Sequence, residues 1–180
     1  MIQFITFVII YAAMMYIWTF VYLNKSKDKV NQAFLWFISI IMLWMVMSVC
    51  NNFCDSSALG LVLRTVYWYS MMNISLFFLL FIYRLAKKKL DWLFYTLVAV
   101  NELTIASRYL FPIDYSDPTF WRLSDSVVAP TMATIFSLPA ILGLIMLIRR
   151  HLLEQDVKQK KQFGHTGLGI CIPLPISVVS

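Results

Sequence analysis

The sequence predicts an all-α, polytopic transmembrane helix bundle with five complete spans, a partial sixth and an N-terminus outside the cytoplasm. Three observations lead there. The chain of 180 residues is 61% hydrophobic and 16% aromatic, whereas a soluble domain is roughly 45–50% apolar. Its apolar runs extend for about 20 residues without a charge, enough to cross ~30 Å of hydrocarbon as helix. These runs lack the apolar–polar alternation of a barrel strand, which leaves the helix as the structure that satisfies backbone groups in lipid.

The first span is expected over Ile2–Leu23. It has no basic n-region and no A-x-A-like cleavage site, and its charges follow it in NKSKDK, so it reads as a retained anchor rather than a signal peptide. Asn31–Cys50, Leu61–Tyr83, Asp91–Tyr109 and Val127–Ile148 form the next four. A sixth run opens near Thr166 in GLGICIPLPISVVS, where Pro173 and Pro175 would bend it or turn it back. It stops at Ser180, too soon to cross, as in a chain truncated within helix six. Residues 1–180 therefore read as a single transmembrane domain with no soluble catalytic domain.

Charge sets the orientation. Lys25, Lys27 and Lys29 follow the first span; Arg84, Lys87, Lys88 and Lys89 follow the third; Arg149, Arg150, Lys158, Lys160 and Lys161 follow the fifth. These are twelve of the fifteen basic residues. The opposite ends hold Arg64, Arg108 and Arg122 together with Asp55, Asp114, Asp117 and Asp125. Positive loops stay inside, so the lysine-rich face is expected in the cytoplasm. The net charge of +6 is then a topology signal and not a nucleic-acid footprint.

Enzyme chemistry finds no foothold. P-loop, G-x-G-x-x-G, H-E-x-x-H and G-x-S-x-G motifs are all missing, so no catalytic residue and no cofactor are assigned. His151 and His165 flank a cytoplasmic connector, and no Cys/His set has metal-ligand spacing. Cys50 and Cys54 would lie on the oxidising side, either bridged or as two separate thiols. A substrate-binding or transport subunit is the rival reading. Scarce glycine (five residues) and the lack of an internal repeat count against it.

The functional signal is polar residues at membrane depth. Counting about 11 residues, or roughly 16 Å, outward from each basic end reaches Glu102 with Asn101, Asn73 with Ser75 nearby, Leu138 beside Pro139, and Met42 next to Leu43 and Trp44. A carboxyl group at that depth faces the bundle interior, is protonated, or has a partner. Asn73 and Arg64 are the candidates on a neighbouring helix. Three readings stand: a site that binds or couples a signal, an interhelical hydrogen bond that clips helices together, and a proton pathway. Ala129, Ala133 and Ser137 form a small-residue stripe on the fifth span, which Pro130 and Pro139 can kink. The connector RYLFPIDYSDPTFWRLSDS supplies an aromatic belt or a partial lid.

Asn31 and Phe34 in NQAF, Trp44 in IMLWMV, Arg64 and Tyr67 in RTVY, the aromatic LFFLLFIYRL, and LIRR before a polar connector together resemble the N-terminal seven-helix sensor region of bacterial histidine kinases. The resemblance implies an outside N-terminus and a bundle that binds a small-molecule or peptide signal. It also implies a cytoplasmic kinase module, in cis or in trans, and a homodimer. Glu102, Asn101, Asn73, Arg64, Tyr67, Trp44 and Pro139 are the residues expected to bind ligand or couple it to helix movement, with membrane lipid around them.

Overall fold

The computed structural model describes residues 2–25, 27–51, 58–110 and 128–153, and the findings below concern these residues. They form five helices: α1 (Ile2–Lys25), α2 (Lys29–Asn51), α3 (Ala58–Leu85), α4 (Trp92–Leu110) and α5 (Val128–Leu153). Each matches an expected span to within a few residues at most ends. The larger difference is at the end of α5, which continues past Ile148 through Arg149, Arg150 and His151 to Leu153. Basic residues are favourable in a last turn, where they face the negative end of the helix dipole, so charge alone does not end the helix.

Four helices, α1, α2, α3 and α5, are long and apolar enough to cross a membrane. In α4 the side chains described are those up to Ala106, and Trp92–Ala106 is an apolar helix whose helical backbone runs on to Leu110. The sixth run, the connector after α4 and Cys54 lie outside the described residues.

α3 is the hub. It packs against α2, α4 and α5, while α1 packs against α2 alone. Aromatic pairs set α2 antiparallel to α3: Phe34–Phe81, Phe37–Phe78 and Trp44–Tyr67 have ring centroids 5.4, 5.6 and 6.4 Å apart. α4 is antiparallel to α3 as well, with Tyr83 against Phe94 at 5.6 Å and Leu76 and Leu79 clustered with Leu97. α5 runs parallel to α3, and Leu147 joins Phe81, Ile82 and Leu85. The Trp18 indole Nε1 donates to Ser39 Oγ at 2.9 Å and ties α1 to α2. Ile9, Tyr16, Phe20 and Leu23 on α1 remain exposed.

Local chemistry explains the tight turns. Asp28 caps α2, accepting from Val30 N at 3.2 Å, as an N-terminal carboxylate should. α3 ends in a Schellman motif: Lys88 N donates to Tyr83 O at 2.9 Å and Lys87 N to Arg84 O at 3.0 Å, with Lys87 at a φ of 52°. That left-handed position favours glycine, and a lysine there costs about 1–2 kcal/mol. Arg150 Nη2 donates to Ala86 O at 3.1 Å, fastening the end of α5 to this cap. The helix directions and this contact bring Lys29, Lys87, Lys89, Arg149 and Arg150 to one end of the bundle.

α5 approaches α3 closely at Gly143. A Cβ on Gly143 would sit 2.7 Å from Phe78 Cε1, and Phe78 is buried against Phe37 and Phe81. The small-residue stripe expected to serve close approach is only partly within view. Of its members, Ser137 donates back to Thr134 O at 3.2 Å on its own helix. Gly143→Leu is expected to destabilise the protein by about 1–3 kcal/mol through overpacking, with Phe78→Leu in the same chain restoring part of the loss. Denaturant titration in mild detergent measures both; an unchanged midpoint for Gly143→Leu would remove this contact from the fold.

Candidate functional site

Helical spacing places Tyr69, Asn73, Leu76, Leu80 and Tyr83 along the α3 stripe that meets α4. Asn101 on α4 meets this stripe at Asn73. Both asparagines are buried, and Asn101 is only 1% exposed. Its Nδ2 donates to Asn73 Oδ1 at 3.4 Å, the long end of hydrogen-bond geometry. Asn73 Nδ2 donates in turn to Tyr69 O at 3.0 Å. Asn101 Oδ1 is buried with no hydrogen-bond partner. Exchanging the oxygen and nitrogen of that amide would leave a buried N–H group unmet instead, so this layer is incompletely satisfied in either orientation.

Apolar clusters flank the amides along the seam. Toward the α3–α4 turn lie Leu76, Leu79, Tyr83, Phe94 and Leu97. Toward the opposite end lie Tyr67, Trp68 and Met72, with Trp44, Met47, Ile105 and Phe136 packed against them. An amide between two such clusters has little access to water, and an unmet buried polar atom costs about 1–3 kcal/mol.

Glu102 is the next residue of α4 and is half-buried. It lies within electrostatic reach of Tyr69, an exposed side chain one turn from Asn73. No hydrogen bond or ion pair joins Glu102 to another described residue. Tyr69 and Asn73 on α3 and Asn101 and Glu102 on α4 thus make a four-residue polar patch.

The other expected residues divide between this layer and its neighbours. Pro139 is fully buried, and the α3–α5 register set by Gly143 beside Phe78 places it level with Ile74, next to Asn73. Trp44 and Tyr67 pair with each other, with the Tyr67 hydroxyl facing Trp44 and Ser48. They form a separate layer, because Tyr67 stands six residues, about 9 Å, along α3 from Asn73. Arg64 is half-buried and lies about 14 Å from Asn73 along the axis. Ser75 is buried with Oγ unpartnered, but two residues of helix turn it roughly 200° away from Asn73.

A second polar constellation closes the α3–α4 turn and was not expected from the sequence. Asp91 Oδ1 accepts from the Tyr83 hydroxyl at 2.7 Å and from Phe94 N at 3.2 Å, while Oδ2 accepts from Lys88 Nζ at 2.7 Å. The ammonium also sits 4.9 Å from the Tyr83 ring centroid. The lysine, then the tyrosine hydroxyl, hold the Asp91 carboxyl down at about 2, and the same contact raises Lys88. An aspartate immediately before an apolar helix is an N-cap signal and was available to find this cluster; its tyrosine partner eight residues earlier had no such signal.

Among the described residues no group of three or more His, Cys, Asp or Glu side chains is placed to hold a metal ion. Comparison with models of protein families, with curated proteins and with solved structures gave no match.

Two outcomes follow from these contacts. Asn101→Ala is expected to cost less than about 1 kcal/mol, since interhelical hydrogen bonds between membrane helices average ~0.6 kcal/mol and this one is long. Leu97→Ala should cost about 2 kcal/mol or more; denaturation midpoints that reverse this order would make the amide layer the dominant clip. The Asp91 contribution should be complete above the ordinary carboxylate value near ~4 and disappear as pH falls toward about 2. Loss of α4 ordering over that window, followed by amide exchange, should be absent in Asp91→Asn, whose amide still caps the helix.

Proposed function

We propose that the chain is a membrane-embedded sensor domain, a receptor whose helix bundle binds a small or peptide signal and relays a rearrangement to a cytoplasmic histidine kinase module, in cis or in trans. On this reading it is a polytopic protein of a bacterial inner membrane with its N-terminus outside. The gathering of the lysine-rich connectors at one end of the bundle supports that orientation. The kinase assignment rests on the resemblance of NQAF, IMLWMV, RTVY and LIRR to sensor regions of that family.

One observation carries the receptor role: Asn101 is almost completely buried, bonded at 3.4 Å on one side and unmet on the other. A layer built only to fasten α3 to α4 would satisfy both ends of its amides. An under-satisfied layer accepts a second arrangement, in which a ligand group or a shift of α4 supplies the missing partner. Signalling requires a ligand with different affinity for two such packings. The resulting movement of α3 reaches the cytoplasmic ends through the Arg150–Ala86 contact.

The test is to purify the native gene product with its associated proteins from its own membranes and measure phosphate incorporation from labelled ATP. Kinase activity is expected to accompany the chain, and Asn101→Ala should change it several-fold while the denaturation midpoint stays nearly constant. Solute flux in proteoliposomes without an accompanying kinase would replace the sensor with a transporter. Unchanged kinase output in Asn101→Ala would reduce the layer to packing.

A further inference from the structure

The polar patch on the α3–α4 seam has a definite hydrogen-bonding sense. Asn73 Nδ2 is engaged by Tyr69 O, and Asn73 Oδ1 receives the Asn101 amide. Two acceptors have no partner at all, the buried Asn101 Oδ1 and the carboxyl group of half-buried Glu102, which has no hydrogen-bonded or ionic partner among the described residues; each amide nitrogen, by contrast, makes one bond. Tyr69, one turn from Asn73 on α3, has an exposed side chain and lies within the field of Glu102. A carboxyl group on the residue that follows a buried, unmet amide oxygen suits a cation that also donates N–H bonds.

The surroundings specify the rest of the molecule. Leu103 and Val100, which flank Asn101 and Glu102 on α4, are exposed apolar side chains, and no other charged residue lies between Asp91 and Arg108 on that segment. A ligand approaching the seam from the side therefore passes apolar surface before it meets the acceptors. A metal ion fits less well, since the patch offers one carboxyl group and two amides in place of the carboxylate-rich sets that hold divalent cations.

We propose that the Tyr69–Asn73–Asn101–Glu102 patch binds the protonated amine of a small amphiphile, with Glu102 and Asn101 Oδ1 accepting its N–H bonds and an apolar tail lying along α4. This names the ligand chemistry of the site on which the sensor reading rests, and it is tested by binding alone, without a kinase readout.

The experiment uses the full chain in lipid nanodiscs, titrated with octylammonium chloride, octanol or sodium chloride and followed by thermal unfolding. Octanol reports partition into lipid and seam without the charge. Octylammonium should stabilise the wild-type chain at concentrations about tenfold lower than octanol, the factor supplied by a charge-assisted hydrogen bond. Glu102→Gln, close to isosteric, should abolish that difference, and Asn101→Ala should reduce it. Equal potency of octylammonium and octanol on the wild-type chain would overturn the proposal even if a variant failed to fold. So would an octylammonium advantage that survives Glu102→Gln, or equal stabilisation by sodium that is lost in Glu102→Gln, which would make the patch an inorganic-cation site. If amine binding fails while kinase output still responds to Asn101→Ala, the ligand chemistry is wrong and the sensor reading stands.

Discussion

The burial of α3 against three neighbours is the constraint on which the other features depend. Its residues meet α2 through phenylalanine and tyrosine rings, α5 through the gap left by Gly143, and α4 through a leucine–asparagine–tyrosine stripe. A helix surrounded in this way has no single apolar face, and its sequence is correspondingly apolar all round. Polar side chains on it must be matched by a neighbour or leave a cost. Ser70 resolves this on its own helix, donating to Tyr67 O at 2.8 Å. Asn73 resolves it partly on its own helix and partly across the seam, and the demand then passes to Asn101.

The seam with α4 is the thinnest of the three interfaces of α3. The α2–α3 interface is an aromatic ladder whose rings interlock over several turns; sliding it would break every pair together. The α3–α5 interface is keyed by Phe78 over Gly143 and locked at its end by Arg150. α4, by contrast, meets α3 through a leucine cluster at one end, Ile105 beside Tyr67, Trp68 and Met72 at the other, one marginal amide bond between them and the Asp91 cap. The cap anchors one end through four groups, and the amide layer lies about 15 Å further along.

Much of this arrangement was legible in the sequence because membrane helices advertise themselves by length, charge placement and isolated polar residues. Counting residues from the basic ends brought Asn73, Asn101 and Pro139 to one level, and the helices meet there. The same count placed Trp44 with them, whereas α2 and α3 pair it with Tyr67 a turn and a half away; depth along an axis says nothing about tilt or helix offset. Glu102 drew attention through its charge, yet its neighbour Asn101 is the deeper residue. One step along a helix rotates a side chain by 100°, and only the packing decides which of two adjacent polar residues turns inward. Gly143 gave no signal of its own, because its role depends on the position of Phe78, sixty-five residues earlier in the chain.

A fastening role for the amides and a sensing role make different demands on the same atoms. Fastening improves as hydrogen bonds shorten and every donor finds an acceptor, and evolution can obtain it at no polar cost by placing two leucines across the seam. Sensing requires that the unliganded arrangement be stable enough to fold but close in free energy to another. A buried amide with one long bond and one unmet oxygen fits the second demand, because a new partner gains most where the old state satisfies least. The same α3 helix that carries Asn73 ends at Leu85, and the carbonyl of Ala86 just beyond it holds Arg150 of α5. Thirteen residues of rigid helix, about 20 Å, therefore separate the amide layer from the contact that fixes the end of α5. A rotation of α3 at one would be felt at the other without any intervening chain of side-chain movements.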